Sequence, residues 1–143
     1  MDSTRAPRPS RNLTVDVVTD GRSSGGAYAL LDVRAAADTV LPPHAPSRED
    51  GTLIVLEGRV ELVLARERSV LGPGDQAFLR RSLPRRLCVL TDARLLWLVV
   101  PAGIERLLAV LDPPGADPDD VAALLAGAGV ALLPSRWCDP AAR

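Results

Sequence analysis

A chain of 143 residues and 15.1 kDa is long enough for one domain with a core and leaves little room for a second. Hydrophobic residues make up 47% and charged residues 24%, a globular mixture, and 17 basic against 18 acidic side chains give a net charge of −1. That balance leaves no basic excess for a nucleic-acid backbone, and because every basic residue is arginine, Schiff-base chemistry and a phosphate-binding lysine are excluded.

Residues 1–11 combine prolines, small polar residues and three arginines without an apolar period, which predicts a disordered arm ahead of a single domain over 12–143. From there, short apolar runs alternate with turn residues. Segments 13–18, 27–33, 53–56 and 59–64 read as strands, the last with charged and aliphatic residues alternating as for a sheet with one wet face. Glu57-Gly58 between the third and fourth runs predicts a hairpin, its glycine supplying a positive φ. Gly72-Pro73-Gly74-Asp75 marks a turn, and 69–71, 77–79, 87–90 and 95–100 complete a series spaced as in an antiparallel sandwich or barrel. The C-terminal third changes period. Ile104, Leu107, Leu108 and Leu111 share one face of a helix over about 101–111, and Asp117-Pro118 with two further carboxylates opens a second over about 118–127, ended by Gly127 or Gly129.

His44 is the single histidine, so no site with two imidazoles exists within one chain, and Cys88 and Cys138 have no metal-binding spacing. With no apolar stretch of signal or membrane-span length, the expected compartment is the cytoplasm, where both thiols are expected to be reduced, a Cys88–Cys138 disulfide being the alternative, and no membrane partner is expected.

Three segments carry a family resemblance. Val55-Leu56-Glu57-Gly58, Pro73-Gly74-Asp75 and Pro101-Ala102-Gly103-Ile104-Glu105-Arg106 resemble, in order and spacing, the small bacterial cupins related to quercetin dioxygenases, over roughly 25–134. The resemblance implies an all-β fold, a single cupin-type jelly-roll β-barrel carrying the short C-terminal helices, often a homodimer, with a metal and a small organic substrate inside. Aligned on Gly58 and Gly74, the family's first metal-binding histidine falls on His44 and is retained. The second falls on Pro46, the glutamate on Gly51 and the third histidine on Arg85. Asp38 and Ser82 stand where the family has glycine, Arg80 where it has proline and Val89 where it has asparagine. One imidazole without a carboxylate holds a divalent ion poorly, and a guanidinium in place of a ligand repels it. No metal and no cofactor are therefore expected, and dioxygenase chemistry is rejected.

In that register Arg85 points into the barrel, where it grips a substrate carboxylate or stabilises an enolate. The competing reading is an internal ion pair, or a side chain that reaches out to the barrel mouth. His44 is the candidate proton donor or acceptor, set against a relic histidine bonded to backbone beside Pro42-Pro43. Tyr28, Leu53, Val55, Leu87 and Trp97 are the candidate substrate-binding residues, the leucines and valine making the pocket apolar. Cys88, three positions after Arg85, falls on the opposite strand face. The expected function is a metal-independent cupin that binds a small, largely apolar organic molecule and performs a non-redox cyclisation, isomerisation or dehydration. Relatives that act on polyketide-like intermediates make natural-product biosynthesis the expected setting. The alternative is a non-catalytic binding or accessory dimer with the old site filled by side chains.

Overall fold

A computed structural model describes residues 13–105, 126–127 and 129–133. They form ten strands: β1 (Leu13–Thr19), β2 (Ala29–Ala35), β3 (Val40–Pro46), β4 (Asp50–Glu57), β5 (Val60–Leu64), β6 (Glu67–Leu71), β7 (Gln76–Leu79), β8 (Arg85–Val89), β9 (Ala93–Val100) and β10 (Val130–Leu132). These build two antiparallel five-stranded sheets, ordered β1-β2-β9-β4-β7 and β10-β3-β8-β5-β6. Period-two alternation turns Leu31, Val33, Leu53, Val55, Leu95 and Val99 of the first sheet inward. They meet Val60, Leu62, Leu87 and Val89 of the second in one continuous core.

The all-β expectation is met, with two strands the sequence concealed. β3 (VLPPHAP) carries three prolines, which hide its alternation, and it pairs with β8 through a register irregularity between Leu41 and His44. β10 adds to the outer side of β3. The predicted hairpin at Glu57-Gly58 is corrected. β4 pairs with β7 and β9, whereas β5 pairs with β6 and β8, so Gly58 carries the chain from one sheet to the other. Its positive φ of 81° is as expected.

The disordered arm expected at 1–11 lies outside the described residues, as do most of the helices expected at 101–111 and 118–127. No helix of a full turn is seen among the described residues. The first of the two cannot begin at Pro101, because Gly103 takes φ 148°, outside any helical conformation. Glu105, 5% exposed, fixes this segment instead: its carboxylate accepts from the Gly21 amide at 2.7 Å and from the Gly103 amide. Among the described residues no helix is long and apolar enough to cross a membrane.

Asp38 and Ser82, the two positions where the resemblance places glycine, both hold positive φ, 69° and 67°. Their backbones keep a conformation that a Cβ disfavours by about 1–2 kcal/mol. Ser82 is exposed and uses its amide to donate to the Pro46 carbonyl at 2.6 Å, a bond glycine retains. Ser82→Gly is therefore expected to raise stability by about 0.5–1 kcal/mol after the added freedom of the unfolded chain is deducted. The urea midpoint should rise with an unchanged slope.

Candidate functional site

Between the sheets lies a cavity lined by Leu41, His44, Leu53, Leu62, Leu79, Arg85, Leu87 and Trp97. The space they enclose is about 20 Å³, room for one water molecule, so a larger guest enters only where these side chains move aside. Strand register puts these side chains together. His44 of β3 stands directly opposite Arg85 of β8, Leu41 pairs with Leu87 and Leu87 with Leu62, and Leu53 pairs with Trp97 in the facing sheet.

Arg85 opens β8 with its side chain on the inward parity shared by Leu87 and Val89. It is 3% exposed. Its Nε donates to the Leu83 carbonyl at 3.2 Å, and Nη2 donates to the carbonyls of Arg80 at 2.6 Å and Leu83 at 3.2 Å. Nη1 makes no hydrogen bond to any described residue, and no carboxylate among them forms an ion pair with this guanidinium. Burial pulls the Arg85 pKa down to about 10, against the opposing pull of Glu49 and Asp50; the group stays a cation at neutral pH. Asp50 is committed elsewhere, bonded at 3.0 Å to Arg81.

Glu49 is a titratable neighbour of Arg85. Burial holds its carboxyl above the usual carboxylate range, partly offset by the positive charges of Arg85, Arg48 and Arg81. It acts on Arg85 through the field rather than through contact.

The candidate binding residues divide. Leu53, Leu87 and Trp97 line the cavity with His44 and Arg85. Val55 is fully buried but sits two residues further along β4, about 7 Å deeper in the core, and does not border the space. Tyr28 is also off the site. Inward positions on β2 are odd-numbered, so Tyr28 has the outward parity and is 38% exposed, its backbone tied to the Ser24 hydroxyl on both sides. Leu41, Leu62 and Leu79 were missed. Leu62 lay in plain alternation, whereas Leu41 was masked by the prolines of β3. Cys88 lies on the outward parity of β8, half-buried and free.

The family's glutamate position, Gly51, explains how the interior closed. A Cβ built on Gly51 would lie 2.7 Å from Trp97 Nε1, so the indole takes the room a side chain there would need. That indole nitrogen is buried and has no hydrogen-bond partner among the described residues. A divalent metal does not fit this interior. A guanidinium stands across from the one imidazole, an indole closes the carboxylate position, and no three metal-binding side chains cluster among the described residues.

No family model and no curated protein matches the sequence. Solved structures do. KdgF from a Halomonas species aligns with TM-score 0.61 at 21% identity over 66% of this chain and 85% of that one. An RmlC-like cupin from Shewanella frigidimarina aligns with TM-score 0.59 at 17% identity over 66% and 81%. The polyketide cyclase RemF from Streptomyces resistomycificus aligns with TM-score 0.56 at 22% identity over 65% and 67%. The two-sheet architecture is thus a cupin fold, as the motifs led us to expect. The narrower likeness to relatives of quercetin dioxygenases rests on those motifs alone.

Proposed function

We propose that this chain is a metal-independent jelly-roll cupin that binds a small, largely apolar organic molecule between its sheets and transforms it by a proton-transfer, non-redox step. The observation that carries the reading is Arg85: a cation 3% exposed, without an ion pair among the described residues, directly across the strand pair from the chain's one imidazole. A buried guanidinium needs anionic or multiple acceptor partners, and backbone carbonyls supply only part of them here.

Cyclisation, isomerisation and dehydration of carbonyl compounds share one step, loss of a proton beside the carbonyl to leave an enolate. Arg85 is placed to stabilise the charge that develops on the oxygen, and His44 to take the proton and return it. The leucines around them exclude water and hold the carbon skeleton. The fold likeness to a polyketide cyclase supports chemistry of this type.

The test is exchange of the α-protons of a simple aryl methyl ketone with deuterated water, followed by NMR in the presence of EDTA. The protein should accelerate exchange, and His44→Ala and Arg85→Ala should each reduce that acceleration by about a hundredfold. Binding of the ketone without exchange would make the protein a carrier and overturn the enzymatic reading, as would exchange that EDTA abolishes.

A further inference from the structure

The outer face of each sheet in a two-sheet sandwich meets water, and its side chains are expected to be polar. The second sheet obeys: its outward positions include Glu61, Arg68 and Arg86, and Arg68 bonds Glu61 across the strands at 3.0 Å. The first sheet does not. Leu30 of β2, Leu98 of β9, Thr52 of β4 and Phe78 of β7 form one outward row across four strands. Leu96 and Ile54 pair in the next outward row, and Val100, 43% exposed, ends β9 on the same parity. Phe78 is the chain's single phenylalanine and is 60% exposed. A contiguous apolar face of this kind marks an interaction surface rather than scattered exposure. Ion pairs flank it at both ends of the strands, Arg94 with Asp32 at 2.7 Å and Arg81 with Asp50 at 3.0 Å.

We infer that this face binds a second copy of the chain, in a twofold contact centred on Leu98 with Phe78 of each copy packed against leucines of the other. The charge pattern favours that occupant. Each flanking pair is neutral, so a strongly acidic or basic partner gains nothing here, whereas a copy with net charge −1 is nearly neutral itself. Turned end over end, it sets leucines on leucines and again finds paired charges at its rim. The size also fits. Five strands spaced by about 4.8 Å, the middle three seven or eight residues long, present about 500–600 Å² in plane. Side-chain relief raises this toward the roughly 800 Å² per partner of a stable dimer. Residues 106–125 are the competing cover, but the described chain on either side of them is fixed elsewhere. Glu105 is bonded to Gly21 in the β1–β2 loop, and Gly129 to Ser47 in the β3–β4 loop. Both attachments lie at one end of the sandwich, not on this face.

Sedimentation equilibrium of the full chain at micromolar concentration should give twice the 15.1 kDa of one copy. Phe78→Glu adds a charge where the side chain is already exposed, and should raise the dimer dissociation constant at least about a hundredfold, because the twofold applies it twice. Val70→Glu, at a site 47% exposed on the outer face of the second sheet, is the matched control and should leave the constant within about twofold. An NMR measurement on unmutated protein decides the matter even where Phe78→Glu fails to fold. In an equal mixture of isotope-labelled and unlabelled chains, the ring protons of the single phenylalanine should show intermolecular contacts to leucine or isoleucine methyl groups. A monomer at every concentration overturns the interface. So does a dimer that Phe78→Glu leaves intact, or one in which the Phe78 ring meets only its own chain.

Discussion

Gly58→Ala should lower the unfolding free energy by about 2–5 kcal/mol, a large share of the stability of a domain this size. Two effects add. Gly58 holds φ 81°, where a Cβ costs about 1–2 kcal/mol. That Cβ would also lie 2.2 Å from the Asp92 carbonyl oxygen and 2.8 Å from the Ala93 Cα. These are backbone atoms, so relief requires moving the β8–β9 turn, at about 1–3 kcal/mol for overpacking. The turn cannot move alone. The Arg59 amide donates to the Thr91 hydroxyl at 2.9 Å, and the Leu90 amide donates to the Arg59 carbonyl at 2.9 Å, locking the crossover to it. Gly74→Ala is the matched control, with φ 88° and no atom within 4 Å of its Cβ, and should lose the backbone part alone. Urea unfolding of the two variants separates the effects; equal losses would show that the close approach at Gly58 contributes nothing.

Gly58 also shows which features a sequence displays and which it hides. Its conformation was legible, because glycine between two apolar runs signals a positive φ. Its role was not, because a hairpin and a crossover between sheets share that signal, and only long-range pairing of β4 with β9 and β5 with β8 distinguishes them. The same limit hid the two-residue turn of β5–β6, where Ala65 and Arg66 take positive φ of 49° and 75° without glycine or asparagine to announce it. At the site, register was the legible part. Anchoring on Gly58 and Gly74 put Arg85 inside the barrel, and the positive φ of Asp38 and Ser82 fits that anchoring. The unreadable part depended on parity and packing. Tyr28 missed the interior by a single residue, Val55 lay one step too deep, and the indole of Trp97 over Gly51 is a contact between strands that no local pattern encodes.

Arg85→Met should leave the unfolding free energy unchanged or raise it by up to about 2 kcal/mol, while reducing the acceleration of ketone proton exchange about a hundredfold. In the unfolded chain the guanidinium titrates at its ordinary, higher value, and in the folded chain at about 10. A depressed basic pKa means that the folded state binds the proton less well, so stability from this group rises with pH between those two values. Below about 10 both states are protonated, and the folded state bears the whole desolvation cost, constant through neutral pH. Methionine removes that charge and lays a thioether of comparable length against Leu41, Leu62 and Leu87. The opposing term is loss of donors to the Leu83 and Arg80 carbonyls, about 1 kcal/mol each. A structural arginine behaves otherwise: with its ion pair broken, replacement would destabilise by about 3–5 kcal/mol. Denaturant midpoint and ketone exchange rate, measured on one preparation of the variant, therefore decide what Arg85 is for. Exchange lost at undiminished stability identifies a cation kept for the reaction, and a large loss of stability identifies a strut of the barrel.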